Sequence, residues 1–231
     1  MTSTKKAARF AGLLYLLVSI PFPFCVMYIP SLLFVRGDAT ATANNIRASE
    51  LLFRVGMVGE LVCTIGFIFV TLALYRLLKG VNKTRATVMV TLFVVSAPLS
   101  FISVLSKIAA LTLLSRATFL SAFDPRQLDA LAMAFLNWHG SALVLAEIFW
   151  GLWLIPFWLL VYRSGFLPRI LGVFLIIACF GYLADSFTSL LFPAYLHSVS
   201  RFAMVLQFGE LPIIFWLLIM GAKDQPLAAE A

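Results

Sequence analysis

Residues Ile170–Phe192 read ILGVFLIIACFGYLADSFTSLLF, and this stretch decides the fold class. It carries a single charged side chain, Asp185, in an otherwise uncharged and largely apolar run. A helix needs roughly 20 apolar residues to cross the hydrocarbon core of a bilayer, so the stretch is long enough to span a membrane. The whole chain of 231 residues has the same character, since 62% of its residues are hydrophobic, 12% are charged and its mean hydropathy is +1.02. Soluble domains are about 45–50% apolar and about 25% charged, so soluble enzyme folds, coiled coils and disordered scaffolds are excluded.

Six apolar stretches of this kind follow one another along the chain. We therefore predict an all-α polytopic membrane protein, with a single six-transmembrane-helix bundle over residues 1–231. The predicted spans are Phe10–Val35, Leu51–Leu78, Ala86–Leu114, Leu131–Tyr162, Ile170–Phe192 and Phe202–Met220.

The Lys and Arg residues between the spans predict the orientation. One side of the predicted bundle carries Lys5, Lys6, Arg9, Arg76, Lys79, Lys83, Arg85, Arg163, Arg169 and Lys223, whereas the other side carries Arg36, Arg47, Arg116, Arg126 and Arg201. Cytoplasmic connections hold the excess of positive charge, so we predict that both termini are cytoplasmic. No basic face is interleaved with exposed aromatic residues, so we expect no nucleic-acid partner despite the net charge of +7.

Two connections on the less basic side carry signals for helix starts. Asp38 is placed to cap a short surface helix that runs through Asn45, because an Asp side chain accepts hydrogen bonds from the free N–H groups of a first turn. Further along, Asp124 and Pro125 have the pattern of a cap followed by a first helical residue. The fourth helix is therefore predicted to start before it enters the membrane.

Four acids lie inside the predicted spans, where an unsheltered charge costs at least about 2.5–3.5 kcal/mol. They are Glu60, Glu147, Asp185 and Glu210. A rise of about 1.5 Å per residue from the predicted cytoplasmic ends puts the first three at a common depth of about 21–23 Å, and Glu210 at about 15 Å. The same count puts Arg54 and Lys107 near the outer boundary, at about 31 Å.

Each acid shares a helical face with small or polar residues. Glu60, for example, shares its face with Gly56, and Asp185 shares its face with Tyr182. Such faces pack against other helices and not against lipid. Two interpretations stay open: an outward-facing polar cavity that binds an ion, a small molecule or a lipid, or acids that act only as contacts between helices in a structural or regulatory subunit.

The candidate ligand-binding residues combine these acids with nearby polar groups. Arg54 and Lys107 are placed to balance the acids or to hold an anionic headgroup, and His139 is placed at the outer mouth of the fourth helix. The full set is Arg54, Glu60, Lys107, His139, Glu147, Tyr182, Asp185 and Glu210.

Metal and covalent chemistry have little support in the sequence. The three cysteines form no C-x-x-C pair, and two histidines do not supply a three-histidine site. We therefore predict no metal, no cofactor and no catalytic residue. One couple, Glu147 with Asp185, keeps an intramembrane enzyme open as an alternative, because buried carboxylates can act as acid and base.

Several motifs resemble one known family. They read ARFAGLLYLL at 8–17, GDATATANNI at 37–46, RSGFLPRILG at 163–172 and GEL at 209–211. Together they resemble the bacterial integral membrane family known as domain of unknown function 4386. The resemblance implies a six-helix protein of the bacterial cytoplasmic (inner) membrane and supplies no activity. It draws attention to Asp38, Asn45, Arg54, Asp185 and Glu210.

The expected partners follow from this fold. They are the lipid bilayer, a small-molecule or lipid ligand and a second copy of the chain, because a bundle of this size would build a full translocation path as a homodimer. Monomer and homodimer both stay open at this point.

Overall fold

The structure, a computed structural model, describes residues 3–115 and 117–223 of the chain. Within these residues, six helical segments are long and apolar enough to cross a membrane. We number them spans 1 to 6: Thr4–Leu33, Glu50–Leu78, Lys83–Leu114, Pro125–Arg163, Arg169–Leu191 and Pro193–Ile219. The predicted all-α fold is confirmed for the described residues, with six helices that are long and apolar enough to span a membrane.

Span 4 begins earlier than the apolar run alone predicts, at Pro125 and not at Leu131. Asp124 explains the difference, because its Oδ1 accepts a hydrogen bond from the backbone N–H of Arg126 at 2.8 Å. The predicted cap at Asp124 and first helical residue at Pro125 are therefore confirmed. Arg116, one of the cations counted on the less basic side, lies outside the described residues.

Span 6 differs most from its predicted bounds, since it begins at Pro193 and not at Phe202. The sequence prediction that Arg201 lies in a connection is wrong, because this residue is inside the helix Leu196–Gln207. Its guanidinium Nη2 lies 2.7 Å from Nε2 of His197, one turn earlier on the exposed face. Polar residues spaced by four share one helical face and leave the backbone hydrogen bonds intact, so they do not end the helix.

Span 1 changes its hydrogen-bond pattern midway. The α-helix Ser3–Ser19 is followed by a short turn at Pro21–Pro23, a π-helical turn at Phe24–Tyr28 and the α-helix Ile29–Leu33. A proline has no N–H to donate, and its ring crowds the preceding turn. The wider hydrogen-bond spacing of the π turn therefore follows directly after the two prolines.

The chain divides into two compact units. The larger unit comprises Met1–Val18, Ile65–Ala97 and Val144–Ala231, and the smaller unit comprises Ser19–Thr64 and Pro98–Leu143. The predicted single domain stays a prediction.

Each unit has its own apolar core. In the larger unit, the buried Trp153 ring contacts the rings of Tyr15, Phe93 and Phe157, with centroid distances of 5.3 to 6.3 Å. In the smaller unit, the core includes the buried side chains of Ile46 and Phe53. Aromatic pairs at these distances add to the stability that burial alone provides.

Candidate functional site

Three of the predicted acids lie in the larger unit, on three different spans. Glu147 belongs to span 4, Asp185 to span 5 and Glu210 to span 6. All three side chains are half-buried. We call Glu147, Asp185 and Glu210 the acid group.

Hydrogen bonds to Glu147 and Asp185 join spans 4, 5 and 6. Gln207 of span 6 donates through Nε2 to Glu147 Oε1 at 2.9 Å, and Ser186 of span 5 donates through Oγ to Glu147 Oε2 at 3.3 Å. The Asp185 carboxylate accepts a hydrogen bond from the hydroxyl of Ser200 in span 6. In each of these hydrogen bonds a carboxylate oxygen is the acceptor, and the donor is an uncharged hydroxyl or amide group.

Glu210 lies where the helix of span 6 is interrupted. A 3-10 turn at Phe208–Glu210 separates the α-helices Leu196–Gln207 and Leu211–Ile219. The hydroxyl of Tyr15 in span 1 donates to Glu210 Oε2, and a second side-chain hydrogen bond joins Glu210 to Tyr182 of span 5. Two tyrosines from different spans therefore hold one carboxylate.

Gly209 allows this interruption to pack closely against span 5. A Cβ atom at Gly209 would lie 2.5 Å from the carbonyl oxygen of Phe174, closer than side chains approach a backbone. The lack of a side chain therefore permits a backbone contact that places Glu210 beside Tyr182.

The acid group has no cationic partner among residues 3–115 and 117–223. The ion pairs in this part of the chain join Arg47 to Asp129, Arg54 to Glu50, and Lys107 and His139 to Glu60. An ionised carboxylate in a membrane span is costly without a compensating charge. The ion pairs of the described residues therefore leave the three carboxylates of the acid group without a compensating side-chain charge.

Glu60 belongs to the smaller unit and has a different environment. Lys107 of span 3 donates through Nζ to Glu60 Oε1, and Nε2 of His139 in span 4 lies 3.1 Å from Glu60 Oε2. These residues are 2 to 4% exposed, and the Lys107 ammonium lies 6.0 Å from the ring centre of Phe53. We call Glu60, Lys107 and His139 the buried triad. Its carboxylate is already paired with an ammonium group.

The structure thus divides the predicted ligand-binding residues between the two units. Glu147, Tyr182, Asp185 and Glu210 lie in the larger unit, and Arg54, Glu60, Lys107 and His139 lie in the smaller unit. Arg54 does not join the buried triad. Its guanidinium pairs at 2.7 Å with Glu50, four residues earlier on the exposed side of span 2.

Asp38 and Asn45, which lie between spans 1 and 2, support the backbone of the smaller unit. Asp38 Oδ1 accepts the N–H of Ala41 at 2.8 Å, so the predicted cap of the short helix Ala39–Ala48 is confirmed. Asn45 Nδ2 donates at 3.2 Å to the carbonyl oxygen of Leu33, the last residue of span 1. Both side chains are therefore used to fix the short helix.

Sequence reasoning missed four residues that bind the acid group. They are Tyr15, Ser186, Gln207 and Ser200, which all donate hydrogen bonds to it. Gln207 and Glu210 share a helical stripe, and a stripe of this kind was a usable signal. The pairing of Tyr15 with Glu210 joins residues of the first and last spans. Because the two residues are far apart in the sequence, no local sequence pattern indicates this contact.

Metal ligation has no cluster to support it within the described ranges. There, no three His, Cys, Asp or Glu side chains come together in a group that could hold a metal ion. The cysteines Cys25, Cys63 and Cys179 are free and buried. The acid group instead presents carboxylate oxygens that accept hydrogen bonds from hydroxyl groups and from the amide nitrogen of Gln207.

Comparison with known proteins gives a family and no activity. Residues 10–221 match the model of a family described as Domain of unknown function (DUF4386). A protein of Archaeoglobus fulgidus named "Uncharacterized protein" is 32% identical over 167 residues, which make up 72% of this chain and 84% of that protein. No solved structure matches the chain.

Proposed function

Because the chain belongs to the DUF4386 family, whose description gives no activity, we propose from its own side chains that it binds and transports a small cation at the acid group. A protonated amine is the leading ligand of this class, because no three His, Cys, Asp or Glu side chains of the described residues form a group that could hold a metal ion. The proposal narrows the wider set of an ion, a small molecule or a lipid to ligands that carry positive charge.

The observation that supports this proposal is the charge balance of the acid group. Three carboxylates from three spans receive hydrogen bonds from uncharged donors, and no Lys, Arg or His of residues 3–115 and 117–223 forms an ion pair with them. Acidic residues placed in this way inside membrane proteins commonly mark ion or proton pathways. A bound cation would remove the cost of leaving them charged.

The interrupted helix of span 6 also supports transport over simple binding. Transporters bind their ions at discontinuous helices, where the unwound backbone and nearby side chains form the site. Here the 3-10 turn Phe208–Glu210 carries one of the acids, and Gln207, directly before it, contacts another. Movement of a cation past this turn would therefore involve two members of the acid group.

The orientation is part of the same proposal. We place the protein in the cytoplasmic membrane with both termini in the cytoplasm, and we assign ligand entry to the outer side. The excess of Lys and Arg on the side of the termini supports this orientation, because positive connections stay cytoplasmic during insertion.

The first experiment measures cation binding to the purified protein in detergent. Sodium, potassium, calcium, magnesium and a primary ammonium salt are titrated separately, and native mass spectrometry and thermal stability record binding. At least one of these cations should bind the wild type and raise its thermal midpoint. The variants Glu147→Gln and Asp185→Asn should each reduce the affinity by about tenfold or more, because each removes one charge from the site.

Glu50→Gln is the matched control, since Glu50 is an exposed acid of the smaller unit and pairs with Arg54. It removes the same charge and should leave binding unchanged. Equal binding by wild type and by a folded Glu147→Gln/Asp185→Asn double variant would contradict the proposal. Loss of binding in the Glu50→Gln control would mean that the effect is one of net charge and would contradict it as well.

A structural role is the second candidate function, and it is supported for the buried triad. Its carboxylate is paired with Lys107 and contacted by His139 at almost complete burial. Such a cluster holds helices together without any ligand. We therefore propose that the triad stabilises the smaller unit while the acid group carries the binding function.

A further inference from the structure

A groove on the surface of the larger unit lies between spans 2 and 3. Its lining consists of Leu72 and Tyr75 from span 2 and Thr87, Val90 and Thr91 from span 3, and its volume is about 220 Å³. Pockets for drug-sized ligands measure about 300–1,000 Å³, so this groove is too small for such a ligand. It lies along two membrane-spanning helices, where the surrounding solvent is lipid.

The helical faces that line the groove continue to cations at one end. Lys79 follows Tyr75 by four residues, and Lys83 precedes Thr87 by four, so each cation shares a helical face with a groove residue. The backbone N–H of Lys79 donates to the carbonyl oxygen of Tyr75 at 2.8 Å, which extends the helical geometry to Lys79. Arg76 lies next to Tyr75 and is exposed as well.

These cations have no acidic partner in the described part of the chain. The ion pairs found there involve other residues, and residues 76 to 91 contain no Asp or Glu. The side chains of Arg76, Lys79 and Lys83 are exposed. Their charge is therefore available to an anion at the end of the groove.

The groove walls favour an apolar chain over a polar ligand. The hydroxyl of Thr87 donates to the carbonyl oxygen of Lys83 at 3.1 Å, within its own helix. Leu72 and Val90 add aliphatic surface. The groove is therefore largely apolar, and exposed cations lie beyond one end of it.

We propose that this groove binds an anionic phospholipid, with part of one acyl chain in the groove and the phosphate held by Lys79 and Lys83. Basic residues beside a span attract anionic headgroups, and the groove adds a fixed position for the chain. This site is separate from the acid group and takes a ligand of opposite charge. It does not depend on the proposed cation transport.

The test uses the full-length protein after delipidation in detergent. Dioleoylphosphatidylglycerol and dioleoylphosphatidylcholine are titrated separately, and native mass spectrometry counts the lipids retained on each protein. The anionic lipid should occupy a first site more tightly than the zwitterionic lipid. Lys79→Gln/Lys83→Gln should weaken this first site by about tenfold or more, because two charges near the headgroup are lost.

Two controls separate the groove from a diffuse positive surface. Lys6→Gln/Arg163→Gln removes the same charge from exposed positions of spans 1 and 4, which do not line the groove, and it should keep the first site. Thr91→Trp fills the groove and should weaken the first site while all the cations remain. Free glycerol phosphate distinguishes a headgroup site from a lipid site, and it should not compete at concentrations where the lipid binds.

Three results would overturn the proposal. The first is equal binding of the two lipids to the wild type, and the second is an equal loss in Lys6→Gln/Arg163→Gln and in Lys79→Gln/Lys83→Gln. The third is tight binding of glycerol phosphate alone, which would assign the cations to a soluble phosphate ligand.

Discussion

Tyr15 connects span 1 to the acid group. Its ring packs in the core against Phe67 and Trp153, and its hydroxyl donates to Glu210. The side chain is fully buried, so the hydroxyl has no water to replace its partner. One residue therefore joins the apolar core of the larger unit to its polar site.

Tyr15→Phe tests this bond, since the substitution removes the hydroxyl and keeps the ring. We expect the free energy of unfolding to fall by about 1–3 kcal/mol, because the half-buried carboxyl group of Glu210 loses one of its two tyrosine donors. Thermal or chemical unfolding in detergent measures the change. Tyr28→Phe is the control, because Tyr28 is exposed, and it should change the stability little. Equal stability of Tyr15→Phe and wild type would contradict a stabilising role for the hydrogen bond between Tyr15 and Glu210.

For the buried triad, we expect single variants to lose stability and the double variant to regain most of it. Glu60→Gln or Lys107→Met alone leaves the other member of the ion pair buried without its partner, and each should lower the free energy of unfolding by about 3–5 kcal/mol. The double variant leaves no unpaired charge, so it should recover most of the loss. A double-mutant cycle of unfolding free energies measures the coupling. Additive losses would show that the pair does not act as a unit.

At the scale of the element, the interruption of span 6 depends on a glycine. Gly209→Ala would place a Cβ against the backbone of Phe174, and backbone atoms cannot move aside as a flexible side chain can. We expect a loss of about 1–3 kcal/mol in unfolding free energy from this overpacking.

Gly140→Ala provides a matched control within span 4. A Cβ at Gly140 meets nothing within 4 Å, and the residue lies inside a regular helix. Alanine should therefore leave the stability unchanged or raise it by up to about 1 kcal/mol, because glycine loses more conformational freedom on folding. Thermal midpoints of the two variants in the same detergent make the comparison. Similar effects of the two substitutions would exclude close packing as the reason for Gly209.

The elements that the sequence predicted well are those with local signals. Apolar runs located all six spans, and the short side chains of Asp38 and Asp124 correctly marked two helix starts. The start of span 6 was missed, because its first turns carry His197 and Arg201 on an exposed face. A hydropathy average along the sequence counts these polar side chains against a span, although they lie on one exposed face and leave the helix intact.

The candidate site was predictable only in part, for a related physical reason. Ionisable residues inside apolar runs are visible in any sequence, and this identified Glu60, Glu147, Asp185 and Glu210. Their partners are decided by tertiary packing. The structure pairs Glu60 with Lys107, and it gives Glu147 and Glu210 only uncharged donors. The difference between a compensated and an uncompensated acid appears only when the spans are packed.

At the scale of the whole molecule, the distribution of charge predicts the topology. The side of the termini carries ten of the 17 Lys and Arg residues, including the four in and beside the connection of spans 2 and 3. Membrane insertion retains such connections in the cytoplasm. The connection between spans 1 and 2, which holds the short helix Ala39–Ala48, should therefore lie outside the cell.

Single-cysteine labelling measures this orientation directly. Thr40→Cys lies on the short helix between spans 1 and 2, and Thr84→Cys lies next to the connection of spans 2 and 3; both positions are exposed. The native cysteines are buried, so they should give little background with a membrane-impermeant maleimide. In intact cells the reagent should label Thr40→Cys and should reach Thr84→Cys only after permeabilisation. The reverse pattern would invert the topology, and it would also move the basic end of the lipid groove to the outer leaflet.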